Sequence, residues 1–157
     1  PILKKGKTFA PLKLRDFKLY PKVEEICRKF KKKYLLIVIT NQPDIKKKKL
    51  RYQDLKIMNQ KLFEKINYDD IFVCTSLSSK SWYKKPNPGM LVKAINKFNI
   101  NIKKSFLIGD RWKDIEAGVK VGCRSIFINR NYNEKKPLKQ FATVRSLSEA
   151  YRLINND

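Results

Sequence analysis

Histidine is absent from this chain of 157 residues, and its three cysteines, Cys27, Cys74 and Cys123, are odd in number and widely spaced. Without imidazole there is no His-based proton relay and no Cys/His zinc pattern, and three scattered thiols do not make a disulfide framework. A reducing, cytoplasmic setting is therefore expected, with no zinc. Long apolar runs are missing too: nothing approaches the roughly 20 residues needed to cross a bilayer, so no membrane partner is expected. The opening "PILKKGK" lacks the apolar core and small-residue cleavage site of a signal peptide. It starts at Pro1 rather than Met, which suggests a sequence whose true start is missing.

Acidic residues are scarce. Lys and Arg number 37 against 14 Asp and Glu, for a net charge of +23. Such a balance raises the question of a nucleic-acid partner. Yet 29 of the basic residues are Lys, and 16 Ile and 12 Asn accompany them, a skew that a composition-biased genome produces without any partner. The runs Lys31 to Lys33 and Lys46 to Lys49 lack the interleaved arginines and aromatics of a base-stacking surface. A solvated, phosphate-attracting surface is the expectation, and nucleic acid the alternative.

A chain of this length buries one core and is too short for two ordinary domains, so a single monomeric domain spanning 1–157 is expected. After a Lys-rich lead-in over 1–21, the segment 22–157 alternates between two periodicities. "KVEEICRKFKKK" spaces Val23, Ile26, Cys27 and Phe30 as a helix, and "YLLIVIT" follows as a branched apolar strand. "QDLKIMNQKLFEKI", "GMLVKAINKF" and a short stretch around Ile115 to Val121, closed by Gly122, read as further helices. "DIFVCT", "SFLIG", "RSIFIN" and "FATV" read as strands. Ser146 and Glu149 predict a capping box before "LSEAYRLI". The alternation predicts an α/β fold with a doubly wound parallel sheet.

In such a sheet, ligands bind beyond the carboxyl ends of the strands. The first strand ends in Thr40-Asn41-Gln42, the second runs into a loop holding Lys84-Lys85-Pro86, and the third ends in Gly109-Asp110-Arg111. A hydroxyl and amides, an ammonium and a carboxylate at successive edges suit a phosphate and a divalent metal. Asp110 would face the metal from the strand tip. Asp114, one helical turn on, would point toward the same crevice. Taken singly, each has a plainer role: Thr40 as a turn residue, the lysines as solvated groups, Asp110 as a helix N-cap.

Together these residues resemble the haloacid dehalogenase (HAD) superfamily, in particular its HAD-IIIA branch of heptose bisphosphate and histidinol phosphatases. "VITNQPDI" is similar to its second motif, "KKPNPGML" to its third and "IGDRWKDIEAGVKVGC" to its fourth. The resemblance implies a Rossmannoid fold and a Mg²⁺-dependent phosphomonoesterase acting on a small phosphorylated metabolite, a heptose or other sugar phosphate. It implies that Thr40 and Asn41 bind the transferring phosphate and that Lys85 stabilises it. Lys84 and Arg111 would help hold substrate, Asp110 would bind Mg²⁺, and Asp114 would support that site.

Two departures stand out. The first motif of the family, a strand ending in Asp-x-Asp that supplies the nucleophile and the acid/base, is not present, and "PILKKGKTFAPLKLRDFKLYP" resembles the stretch that follows it. Asp16 has no apolar strand before it and reads as a surface or turn residue. The first strand is thus expected to be missing, through N-terminal truncation or in a pseudoenzyme, and the chain to be inactive as it stands. A non-catalytic phosphate-binding protein and a nucleic-acid end-processing phosphatase are the alternative readings. The second departure is "CTSLSSKSWYKKP", where many relatives place a zinc knot. Only Cys74 remains there, and it reads as a small buried strand residue. Trp82 and Tyr83 either cover the mouth of the site or pack the loop.

Overall fold

The computed structural model describes residues 2–4 and 7–156, with side chains from residue 10 onward. The chain divides into two compact units, residues 1–77 and 78–157. Both are α/β, as the alternating periodicities predict.

The first unit opens with β1 (Ile2–Lys4) and β2 (Lys7–Phe9), an antiparallel pair in a sheet of its own. The Lys-rich composition of the lead-in gave no hint of it. A 3₁₀ turn at Leu14–Asp16 follows and holds Asp16, half-buried. Helix α1 (Val23–Lys31) buries Ile26, Cys27 and Phe30 on one face, while Glu24 and Glu25 start it and Arg28, Lys29 and Lys31 end it, complementing the helix dipole. Strand β3 (Ile37–Asn41) pairs in parallel with β4 (Asp70–Cys74), in register from Ile37 opposite Asp70 to Asn41 opposite Cys74. Just before β4, Asp69 accepts the Leu36 N–H at 2.7 Å and the Lys31 ammonium at 2.5 Å. Burial works to raise its carboxyl, but these two donors outweigh burial and hold it below the usual carboxylate range. Between the strands, α2 (Tyr52–Ile66) packs Leu55 and Met58 with Leu50. Leu12, Leu14 and Phe17 lean on that cluster, which gives the end of the lead-in a place in the fold.

In the second unit α3 (Gly89–Phe98), β5 (Phe106–Gly109), α4 (Trp112–Lys120), β6 (Arg124–Ile128), β7 (Ala142–Val144) and α5 (Leu147–Asn155) follow in order. The sheet runs β5-β6-β7, all parallel, with Phe106 opposite Arg124 and Ile126 opposite Ala142. The middle strand, covered on both faces, is a continuous buried run of Ser125, Ile126, Phe127 and Ile128. Its one hydroxyl is satisfied by donation to the Cys123 carbonyl at 3.0 Å. Helix α4 starts three residues before the predicted position, because the chain turns helical directly after Arg111. Gly122, with φ +74°, then closes that helix in the left-handed region. At α5 the predicted box forms only by half. Ser146 Oγ accepts the Glu149 N–H at 3.2 Å, but the Glu149 carboxylate reaches past the cap to the Arg145 N–H at 2.8 Å.

Candidate active site

The end of β5, in the second unit, carries the charged candidate residues. Gly109 closes the strand, Asp110 follows, and Arg111 stands at the N-cap of α4. Asp110 is therefore not the helix cap that an aspartate before a helix suggests. Capping falls to Asp114, whose Oδ2 accepts the Arg111 N–H at 3.1 Å. Its other oxygen, Oδ1, meets Lys85 Nζ at 2.7 Å. The Asp114 side chain lies so close to the end of β5 that a Cβ on Gly109 would run into it, and this close approach demands glycine there.

Lys85 is 9% exposed. Its loop, residues 78–88, is tied to itself by Asn87 Nδ2, which donates to the carbonyls of Ser79 and Ser81 at 3.1 and 3.0 Å. Lys120 of α4 also donates to the Pro86 carbonyl at 2.9 Å. The ion pair of Lys85 and Asp114 is thus buried, hydrogen-bonded and held from both sides. Those are the conditions under which attraction offsets the cost of removing two charges from water. Lys84, half-buried, is fixed through its backbone to the Ser81 carbonyl at 3.0 Å.

Two residues that the strand-end reading did not name complete this end. Tyr132, 8% exposed, donates its hydroxyl to Asp110 Oδ2 at 2.8 Å. Glu134 takes the Arg111 guanidinium through two bonds, Nε to Oε1 at 3.0 Å and Nη2 to Oε2 at 2.5 Å. Arg111, expected among the substrate-binding groups, spends its fork on that carboxylate. Both partners sit just beyond β6, so the strand-end rule applied to one more strand would have pointed to "NYNEKK".

At the end of β3, in the first unit, the candidate residues Thr40 and Asn41 and the Gln42 that follows are uncharged. Gln42 donates its backbone N–H to the Cys74 carbonyl at 2.7 Å and Nε2 to Thr40 Oγ1 at 3.1 Å, while its buried Oε1 has no hydrogen-bond partner among the described residues. Asn41 closes the ladder opposite Cys74, a buried free thiol. In the loop before α3, Trp82 and Tyr83 are 55% and 48% exposed. The Trp82 carbonyl accepts the Gly89 N–H at 3.0 Å.

Among the described residues no group of three or more His, Cys, Asp or Glu side chains is placed to hold a metal. Mg²⁺ does not require one. It keeps several waters and binds through one or two carboxylates together with substrate phosphate. Asp110 fits as a single hard ligand of such an ion, with Oδ2 taken by Tyr132. Asp114, committed to Lys85 and to the Arg111 N–H, fits a supporting role.

Residues 82–150 match the HAD-hydrolase-like family. The D-glycero-alpha-D-manno-heptose-1,7-bisphosphate 7-phosphatase of Campylobacter jejuni is 30% identical over 147 residues, covering 89% of this chain and 85% of that one. The corresponding protein of Photorhabdus laumondii is 32% identical over 135 residues, covering 77% and 74%. Among solved structures, a D,D-heptose 1,7-bisphosphate phosphatase from B. bronchiseptica, in complex with magnesium and phosphate, superposes with a TM-score of 0.83 at 14% identity, over 92% of this chain and 88% of that one. Its likeness shows the fold. With the extent of the Campylobacter match and the motifs at β3, at Lys85 and at β5, it follows that this chain belongs to the HAD-like hydrolase family.

Proposed function

We propose that this chain belongs to a Mg²⁺-dependent phosphomonoesterase of the cytoplasm that acts as a monomer on a small phosphorylated sugar of the heptose bisphosphate class. The observation that supports this most is the state of Asp110: its carboxylate stands at a strand end, is not used to cap α4, and is held by a buried phenol. In this reading the Thr40 hydroxyl and Asn41 amide donate to phosphate oxygens. Lys85 neutralises charge on the phosphoryl group, with Asp114 fixing its position, and Lys84 adds a second cation for the substrate. Asp110 would hold Mg²⁺, which when bound would supply further neutralisation of the phosphoryl oxygens. The sequence holds no Asp-x-Asp pair, so these residues bind and polarise phosphate without supplying an attacking carboxylate. The chain is therefore expected to bind inorganic phosphate and Mg²⁺ but not to turn over an aryl phosphate.

Calorimetric titration of Mg²⁺ into the chain and its Asp110→Asn variant, both with inorganic phosphate present, tests this. Asn keeps the shape and one carbonyl oxygen but drops the charge that a hard dication requires, so the variant should lose most Mg²⁺ affinity while its melting profile stays close to the parent's. Equal affinity in the two proteins removes the metal-site reading.

A further inference from the structure

The loop after β6 reaches the start of α4 through its side chains. Asn131, at φ +55°, turns the chain, and its N–H donates to Asn129 Oδ1 at 3.0 Å. Lys136 returns to the same Oδ1 at 2.9 Å, which closes residues 129–136 into a compact strap. From it three side chains reach the β5–α4 junction in turn. Tyr132 meets Asp110 and Glu134 meets Arg111. Lys135 pairs with Glu116 at 2.8 Å and sits over the Trp112 ring at 4.6 Å.

These contacts differ in kind. The pair of Lys135 and Glu116 is exposed and worth little, and that of Arg111 and Glu134 fixes the cap residue. Tyr132 alone acts on the carboxylate proposed to hold the metal. Its ring is buried, so the hydroxyl has a defined position, and its 2.8 Å bond selects one rotamer of Asp110 by occupying Oδ2. Oδ1 takes no hydrogen bond among the described residues. Ligating carboxylates generally need such a partner to keep their lone pairs aimed at the ion.

We propose that Tyr132 is a positioning residue for metal binding: its phenol pins Asp110 Oδ2 and so presents Oδ1 to the divalent ion. The proposal rests on the reading of Asp110 as a metal ligand. If Tyr132 served packing alone, its hydroxyl would be dispensable, since Phe fills the same space.

The test uses the full chain in saturating inorganic phosphate with Mn²⁺ as the probe, followed by electron paramagnetic resonance, with Mg²⁺ as competitor. Tyr132→Phe should weaken Mn²⁺ binding about ten- to a hundredfold and alter the spectrum of the bound ion, while its thermal melt stays within a few degrees of the parent's. Glu134→Gln loosens the same junction through Arg111 but leaves the phenol bond intact, and it should change Mn²⁺ affinity less than about threefold. Three results overturn the proposal in distinguishable ways. If the parent binds no Mn²⁺, the metal-site reading itself fails. Equal binding by parent and Tyr132→Phe retires the role of Tyr132 alone. Equal losses in both variants assign the effect to the strap as a whole.

Discussion

The ends of β3 and β5 carry motifs of the same family and solve opposite physical problems. At β5 the candidate groups are ions: Lys85 pairs with Asp114 and Arg111 with Glu134, each inside its own unit, while Asp110 has one oxygen held by the neutral phenol of Tyr132. At β3 they are a hydroxyl and amides, and one buried acceptor, Gln42 Oε1, has no hydrogen bond among the described residues. The difference follows from what burial costs. An unpaired charge in a protein interior is penalised by several kcal/mol, whereas an unpaired amide oxygen costs about 1–3 kcal/mol. The two ion pairs at the charged end therefore have to be assembled by the fold itself, and an amide oxygen at the neutral end can tolerate an open valence.

The largest expected effect is at the charged end. Asp114→Ala removes the partner of a buried ammonium and the cap of α4 at once, so it should cost about 3–5 kcal/mol in urea denaturation. Lys85→Met with Asp114→Leu should recover much of that loss, because no charge is then stranded. A loss below about 1 kcal/mol for Asp114→Ala would mean that the pair behaves as a surface pair and that the contrast between the two ends is false.

A second expectation treats the two units alike. Burial pushes the thiols of Cys27 in α1 and Cys123 before β6 from 9.0 up to about 11, with the Leu107 backbone and the Arg124 charge working against burial only at Cys123. A proton held in the folded state and lost in the unfolded one makes stability fall as pH rises. The contribution is complete below pH 9 and is lost between pH 9 and about 11. Denaturation midpoints across that window should fall, and Cys27→Ala with Cys123→Ala should flatten the slope. An unchanged slope in the double variant would place the alkaline loss elsewhere. Both thiols should also resist alkylation at pH 8 in the native state, since the thiolate is the reactive form.

The smallest effect belongs to the neutral end. Gln42→Leu removes the unpartnered acceptor together with a side-chain bond to Thr40, so the two changes oppose and the net shift should stay within about 1 kcal/mol. A loss like that of Asp114→Ala would show that the β3 end is as tightly assembled as the β5 end.

Much of this architecture was legible in the residues. The helical face of α1 and the branched runs of β3, β5 and β6 follow from periods that local sterics impose. Lys85, Asp110 and Asp114 could be singled out because ligand sites gather at strand ends. The β1–β2 pair was not legible, since "ILK" and "KTF" are too short to show a period. Nor was the N-cap of α4. Arginine is a poor cap by type and serves here because Asp114, three positions on, supplies the acceptor.

The order of elements and the three motifs were set by local pattern, which depends on neighbours three, four or two positions away. The partners of the charges were set otherwise. Tyr132 lies 22 residues from Asp110, and Glu134 lies 23 from Arg111. No periodicity links positions so far apart. They meet because β6 runs parallel to β5, and a parallel ladder brings the loops that leave both strands to the same edge of the sheet. Which partner the Asp110 carboxylate would meet at the strand end was decided by that return of the chain.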